Sequence, residues 1–131
     1  LRVRRPPGST LFPATTLFRS RAEGTHLGNL GLAYADLGEA RRAIEYYEQA
    51  LAISREIGDR RGEAVHSWNV GRPLEEADPA QAAELMAVLV AYEQEIGHPD
   101  AERRAKRVAE IRARAGQREP GTGREGASDR R

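Results

Sequence analysis

The chain has 131 residues and no cysteine, which excludes disulfides, thiolate metal sites and cysteine nucleophiles. Its net charge of +1 conceals a segregation: five arginines and no acid in residues 1–21, 15 acidic against 6 basic residues in 22–100, then 10 basic against 5 acidic in 101–131. An acidic middle repels a phosphate backbone and argues against nucleic acid as partner, and no apolar run approaches the ~18 residues of a membrane span. No charged-then-apolar leader with a small-residue cleavage site is visible, so a cytoplasmic location is expected.

The chain opens on Leu1 rather than methionine, so a fragment of a longer protein is expected. Residues 10–20, TLFPATTLFRS, resemble the translation of a sequencing adaptor. Residues 1–21 are accordingly expected to be an artefact or a disordered leader, and Phe12 and Phe18 are assigned no function.

From Arg21 onward the chain repeats itself, which sets the fold before any single motif does. Arg21, Glu23, His26, Asn29 and Gly31 recur 40 residues later as Arg61, Glu63, His66, Asn69 and Gly71. A second block, AIEYYEQALAISREIG from Ala43, returns as AAELMAVLVAYEQEIG from Ala82, offset by 39. Two blocks in register at nearly one period indicate a tandem duplication.

Each repeat predicts two helices. The first runs from about Ala22 to Leu37 and stops at Gly38. The second, Glu39 to Ile57, carries Ala43, Ile44, Tyr47, Ala50, Leu51 and Ser54 at the three-and-four spacing of one buried face. Repeat two predicts a helix from Arg60 to about Ala77, with Pro73 inside it at a cost of about 3 kcal/mol if unrelieved. Asp78-Pro79 then supplies an N-cap and a first-position proline for a helix reaching Ile96. A fifth helix, Asp100 to about Ala115, has one narrow apolar stripe of Ala101, Ala105, Val108, Ile111 and Ala115. Its other faces are charged, as the end of a solenoid requires. The basic side chains Arg103, Arg104, Lys106, Arg107, Arg112 and Arg114 are read as the soluble face of that cap. Residues 116–131 have no periodicity and are expected to be a disordered tail.

Leu27, Leu30, Gly31, Tyr34, Gly38, Ala43, Tyr47 and Ala50 resemble the tetratricopeptide repeat, with only the opening tryptophan replaced, by leucine. Repeat two keeps Val70, Gly71 and Ala83 but has Leu74 for the tyrosine and Met86 at the aromatic position. The resemblance covers about residues 22–115 and implies an all-α solenoid of helix-turn-helix repeats with a C-terminal capping helix. The 40-residue spacing is similar to repeats of kinesin light chains, polarity adaptors and bacterial signalling ATPases. It implies a concave groove that binds a peptide or helix, in which asparagines at the positions of Asn29 and Asn69 hydrogen-bond an extended ligand.

Those asparagines stand out on physical grounds as well. Leu27, Leu30 and Tyr34 are expected to face the second helix, which leaves Asn29 off that face. A side-chain amide has donors and an acceptor and reads a peptide unit regardless of its side chains. Groove candidates beside them are Thr25, Gly28, Leu32, Asp36, Val65, Trp68, Arg72 and Glu76, with core packing the competing role for Trp68.

Glu23-x-x-His26 and Glu63-x-x-His66 resemble the paired motifs of di-iron bundles. Two further glutamates at matching depth cannot be identified, so no metal, cofactor or catalytic residue is assigned. No phosphate-cradling loop occurs either. The expected function is protein–protein interaction by groove binding, with a regulatory arm of a multidomain signalling ATPase or transcription regulator as the alternative. Because solenoids need about three or more repeats, the outer face of the first helix is expected to be apolar and open to self-association.

Overall fold

The computed structural model describes residues 14–118, with side chains described from Arg21 onward. Five helices follow in chain order: α1 (Ala14–Asp36), α2 (Ala40–Ile57), α3 (Arg60–Leu74), α4 (Pro79–Ile96) and α5 (Ala101–Arg118). Among the described residues there is no strand. Helix α1 begins eight residues before the expected Ala22, so it takes in the end of the adaptor-like stretch. The rest of that stretch, up to residue 13, lies outside the described residues. Helix α5 runs through Gly116 to Arg118, three residues beyond the expected end; the tail from residue 119 lies outside the described residues.

The helix ends have local causes. Gly58 adopts φ +71°, and the following Asp59 N–H donates to the Ser54 carbonyl at 2.8 Å. That left-handed turn closes the open carbonyls of α2 and suits a residue without Cβ. Gly97 ends α4 in the same way, with His98 N–H on the Glu93 carbonyl at 2.8 Å. Asp59 and Asp78 cap α3 and α4, each carboxylate accepting from the amide three residues on, at 3.0 and 3.1 Å.

Helix α3 ends at Leu74, one residue after Pro73 and three before the expected Ala77. Proline has no N–H to donate back to Asn69 and its ring crowds that carbonyl, which disfavours continuing the helix. The chain then closes with Asp78 N–H on the Leu74 carbonyl at 2.8 Å.

Every extensive helix contact is between chain neighbours, α1 with α2 through to α4 with α5. This is the one-dimensional packing of a solenoid. Two buried clusters fill it. Ala43, Tyr47, Leu51 and Val70 form the first; Ala82, Ala83, Met86, Val90, Val108 and Ile111 form the second. Leu74 packs against both and joins them.

Within each repeat the two helices approach at a glycine. A Cβ on Gly31 would lie 2.6 Å from Tyr47 Cε1. A Cβ on Gly71 would lie 2.7 Å from Met86 Cγ and 3.0 Å from the Ala82 carbonyl oxygen. Tyr47 and Met86 are the same repeat position, so the large side chain of helix B fills the notch of helix A in both copies.

One packing expectation is corrected. Leu30 does not face α2: it is 44% exposed, whereas its repeat counterpart Val70 is 3% exposed. Val70 is covered by Ala43, Tyr47 and Leu51 of the preceding repeat. Leu30 occupies the position that faces backwards along the array, and among the described residues nothing covers it as α2 covers Val70.

Helix α5 buries Ala101, Val108 and Ile111 against α4, as its stripe predicted. Much of its basic surface is committed to holding it there. Arg107 pairs with Glu75, Arg114 lies 3.3 Å from Glu76, and Arg118 reaches the Glu76 carbonyl at 2.5 Å. These contacts run from the cap back to the α3–α4 turn.

Replacing Gly31 by alanine is expected to destabilise the chain by about 1–3 kcal/mol, because Tyr47 is buried and its ring must move. Gly116→Ala meets nothing within 4 Å in α5 and is expected to stabilise by up to about 1 kcal/mol through helix propensity. Denaturant unfolding of the two variants beside the parent chain measures both signs.

Candidate protein-binding groove

Because α1 and α3 make no extensive contact with each other, a furrow remains between them. Its wider part has a volume of about 610 Å³ and is lined by Thr25, Asn29 and Leu32 of α1 with Val65, His66 and Asn69 of α3. A narrower continuation of about 370 Å³ shares Leu32 and Asn69 and runs on to Asp36 and Arg72. The two parts form one trough along both A helices.

The 40-residue repeat brings Asn29 and Asn69 to the same cleft, Asn29 exposed and Asn69 half-buried. Neither side chain makes a direct side-chain hydrogen bond among the described residues, so both amides keep their donors and acceptor. Between them stand Leu32, 55% exposed, and Val65, 39% exposed. Two exposed apolar side chains beside two free amides make a surface with both area to bury and polar groups to fix register. Thr25 has spent its hydrogen, its hydroxyl donating to the Arg21 carbonyl at 3.0 Å.

Gly28 serves the trough from behind. A Cβ there would fall 2.7 Å from His66 Cε1, so the missing side chain is what admits the imidazole between the A helices. His66 is half-buried, and its Nδ1 is buried with no hydrogen-bond partner. Burial pushes its pKa below the ordinary 6.5, against a weaker opposing pull from the Asp59 carboxylate.

Trp68 lines the next stretch of this surface. It packs against the second core cluster and lines an adjoining cleft of about 530 Å³, with Tyr92 and Ile96, that shares Arg61, Val65 and Asn69 with the trough. The Arg104 guanidinium covers its ring at 5.6 Å. Arg104 is held in turn by Glu93, whose residue is 4% exposed. Removing Arg104 would strand a buried carboxylate, at a cost of about 3–5 kcal/mol by analogy with broken buried pairs. Glu76 lies outside the three clefts altogether, turned toward Arg114 and Arg118.

Sequence reasoning missed Glu93 and Arg61. Glu93 occupies the repeat position of Ser54, and both are buried. A glutamate on an otherwise apolar stripe was the available signal. Arg61 lines both the α1–α3 trough and the Trp68 cleft, and its recurrence with Arg21 was visible in the repeat. Among the described residues no three His, Asp or Glu side chains converge as metal ligands. No described helix is long and apolar enough to cross a membrane.

Helix-turn-helix pairs stacked at a 40-residue period, with a trough on their A helices, define a helical-repeat protein. The family model described as tetratricopeptide repeat matches residues 22–92, and the chain belongs to that family. It is also 51% identical over 45 residues to human G-protein-signaling modulator 1, a stretch that is 34% of this chain and 7% of that protein. No solved structure matches the chain. The tetratricopeptide repeats indicate a role in protein–protein interaction.

The lowered His66 pKa gives stability a pH dependence of definite sign. Above the ordinary value of 6.5 the imidazole is neutral both folded and unfolded, and contributes nothing to the slope. As pH falls through that value the unfolded chain takes up the proton first, so stability falls until the folded pKa is also passed. Between about pH 7.5 and about pH 5.5 the parent chain is expected to lose more unfolding free energy than His66→Gln. Equal losses in urea titrations at the two pH values would remove His66 as the cause.

Proposed function

We propose that the trough on α1 and α3 binds an extended segment of a partner protein, with Asn29 and Asn69 hydrogen-bonding its main chain. The observation that carries this is their convergence: two unengaged amides from equivalent repeat positions line one cleft together with exposed Leu32 and Val65. An amide pair supplies donors and acceptors to successive peptide units, and the two apolar side chains supply area to cover. Thr25, Asp36 and Arg72 line the margins of the trough. Trp68 lines the adjoining cleft that shares Arg61, Val65 and Asn69 with the trough, and Glu76 is turned toward Arg114 and Arg118. The partner is a protein or peptide in the cytoplasm, consistent with a signalling role like that named for the human relative.

Leu30 favours a second reading beside this one. Its position is buried in repeat two and open in repeat one, so the outer face of α1 suits another repeat of a regulatory array, or a second copy of the chain. Concentration-dependent sedimentation that Leu30→Lys abolishes would support pairing of copies; a monomer at every concentration argues for the array.

The groove reading is tested by selecting peptides on the purified chain from a display library and titrating the best binder by calorimetry. Asn29→Ala with Asn69→Ala is expected to weaken it by roughly 10-fold or more, at ~1 kcal/mol per lost hydrogen bond, with melting temperature unchanged. Undiminished affinity in the double variant would sink the site.

A further inference from the structure

An imidazole sits in the seam between α1 and α3. A Cβ on Gly28 of α1 would meet the His66 ring first, with Cε1 at 2.7 Å, Nδ1 at 3.4 Å and Nε2 at 3.8 Å. The ring from α3 therefore rests directly on the bare backbone of α1. One repeat further on, the position of Gly28 is held by Trp68, whose ring lies under the Arg104 guanidinium at 5.6 Å. Arg104 is anchored on the buried Glu93, whereas the buried Nδ1 of His66 has no hydrogen-bond partner.

That seat suits a neutral ring and not a charged one. Imidazolium carries N–H on both nitrogens. Protonation would leave a charged donor at Nδ1 where no acceptor stands, and a buried charge without a partner is costly. The charged groups facing the ring do not offset this. Helix α1 contributes Arg21 and α3 contributes Arg61 to this stretch of the trough, while α2 contributes only Ile53, Ser54 and Ile57. Asp59, in the turn before α3, is the one acid there among the described residues. It is already taken by the Gly62 N–H at 3.0 Å and by Arg21 at 3.9 Å. Water is the remaining partner. The ring reaches it by turning out of the notch into the trough, whose wall it already forms, about one turn of α3 from Asn69.

We propose that His66 is a pH-operated gate on the trough: neutral, it is seated on Gly28 and the trough is open; protonated, it leaves the seat and stands in the trough beside Asn69, closing the path of a partner segment. This rests on the groove reading above and adds its regulation. The next seam lacks such a gate, because the guanidinium over Trp68 is permanently charged and already paired with Glu93. The sign follows from burial. Binding is full where the ring is neutral, and is lost as pH falls through the seated ring's pKa, which burial sets below 6.5. Segment and proton each disfavour the other by the same factor, as linkage requires.

The test uses the full chain and a histidine-free peptide recovered from the display library, titrated by calorimetry at about pH 7.5 and about pH 5. Circular dichroism establishes that the chain is folded at each. The parent chain is expected to bind about threefold or more weakly at the lower pH, since only the fraction with His66 seated is competent. His66→Gln cannot take up the proton and should bind alike at both. Gly28→Ala fills the seat, so it should bind weakly already at the higher pH and lose little more on acidification, even though alanine favours a helix over glycine. Equal parent affinity at both pH values, a pH dependence that survives His66→Gln, or a folded Gly28→Ala chain that binds as the parent does would each overturn the gate. The groove itself still stands after any of these if the asparagine double variant weakens binding at the higher pH. If no peptide binds at either pH, the groove reading falls and takes the gate with it. If the parent chain is not folded at the lower pH, Gly28→Ala at the higher pH decides: weakened binding supports the gate and parent-like binding overturns it.

Discussion

The close approach of helices A and B at Gly31 and Gly71 is the constraint from which the rest of the architecture follows. In each repeat a missing Cβ admits a large buried side chain from the partner helix, Tyr47 in one copy and Met86 in the other. Interiors are packed too densely for such a notch to stay empty or to take an extra methyl group freely. With the A and B helices locked at that separation, Val70 falls onto the preceding repeat's cluster and Leu74 joins it to the next. The A helices are left side by side with a furrow between them, and that furrow is a consequence of how the repeats pack.

Charge is used differently on the two sides of the molecule. At the C-terminal end, arginines of α5 reach Glu75, Glu76 and Glu93, tying the cap to the α3–α4 turn and to α4. These contacts explain much of the basic composition there without a nucleic-acid partner. In the trough, by contrast, Arg61 and the two asparagines are left unengaged. Polar groups held by the chain's own residues serve the fold; those left open on a concave face are available to something else.

The repeat, the five helices and most of the buried positions were legible in the residues. Ala43, Tyr47, Ala50, Leu51 and Ser54 are buried where the three-and-four spacing placed them, because a helix face is set by periodicity alone. Asp78-Pro79 started α4 as read, since capping is local. Three readings needed more than local information. Leu30 resembled a core leucine, yet it is exposed, because its repeat position packs on the preceding helix B as Val70 does and not on its own. Helix α3 ended at Leu74, one residue after Pro73, because proline cannot donate back to Asn69 and crowds its carbonyl. Trp68, one position from Asn69, lines the cleft adjoining the trough, which Asn69 lines as well.

The amino-acid sequence by itself determined the period, the helix boundaries to within a few residues except at the start of α1, the capping chemistry and the family. All of these depend on residues close together in the chain or on one repeated spacing. Only the tertiary structure decided which side chains share a cleft, which arginines are already paired, and that Glu76 turns toward α5 while Asn29 and Asn69 meet. Those depend on distances between helices, and a helix-to-helix distance is set by the packing of side chains far apart in sequence.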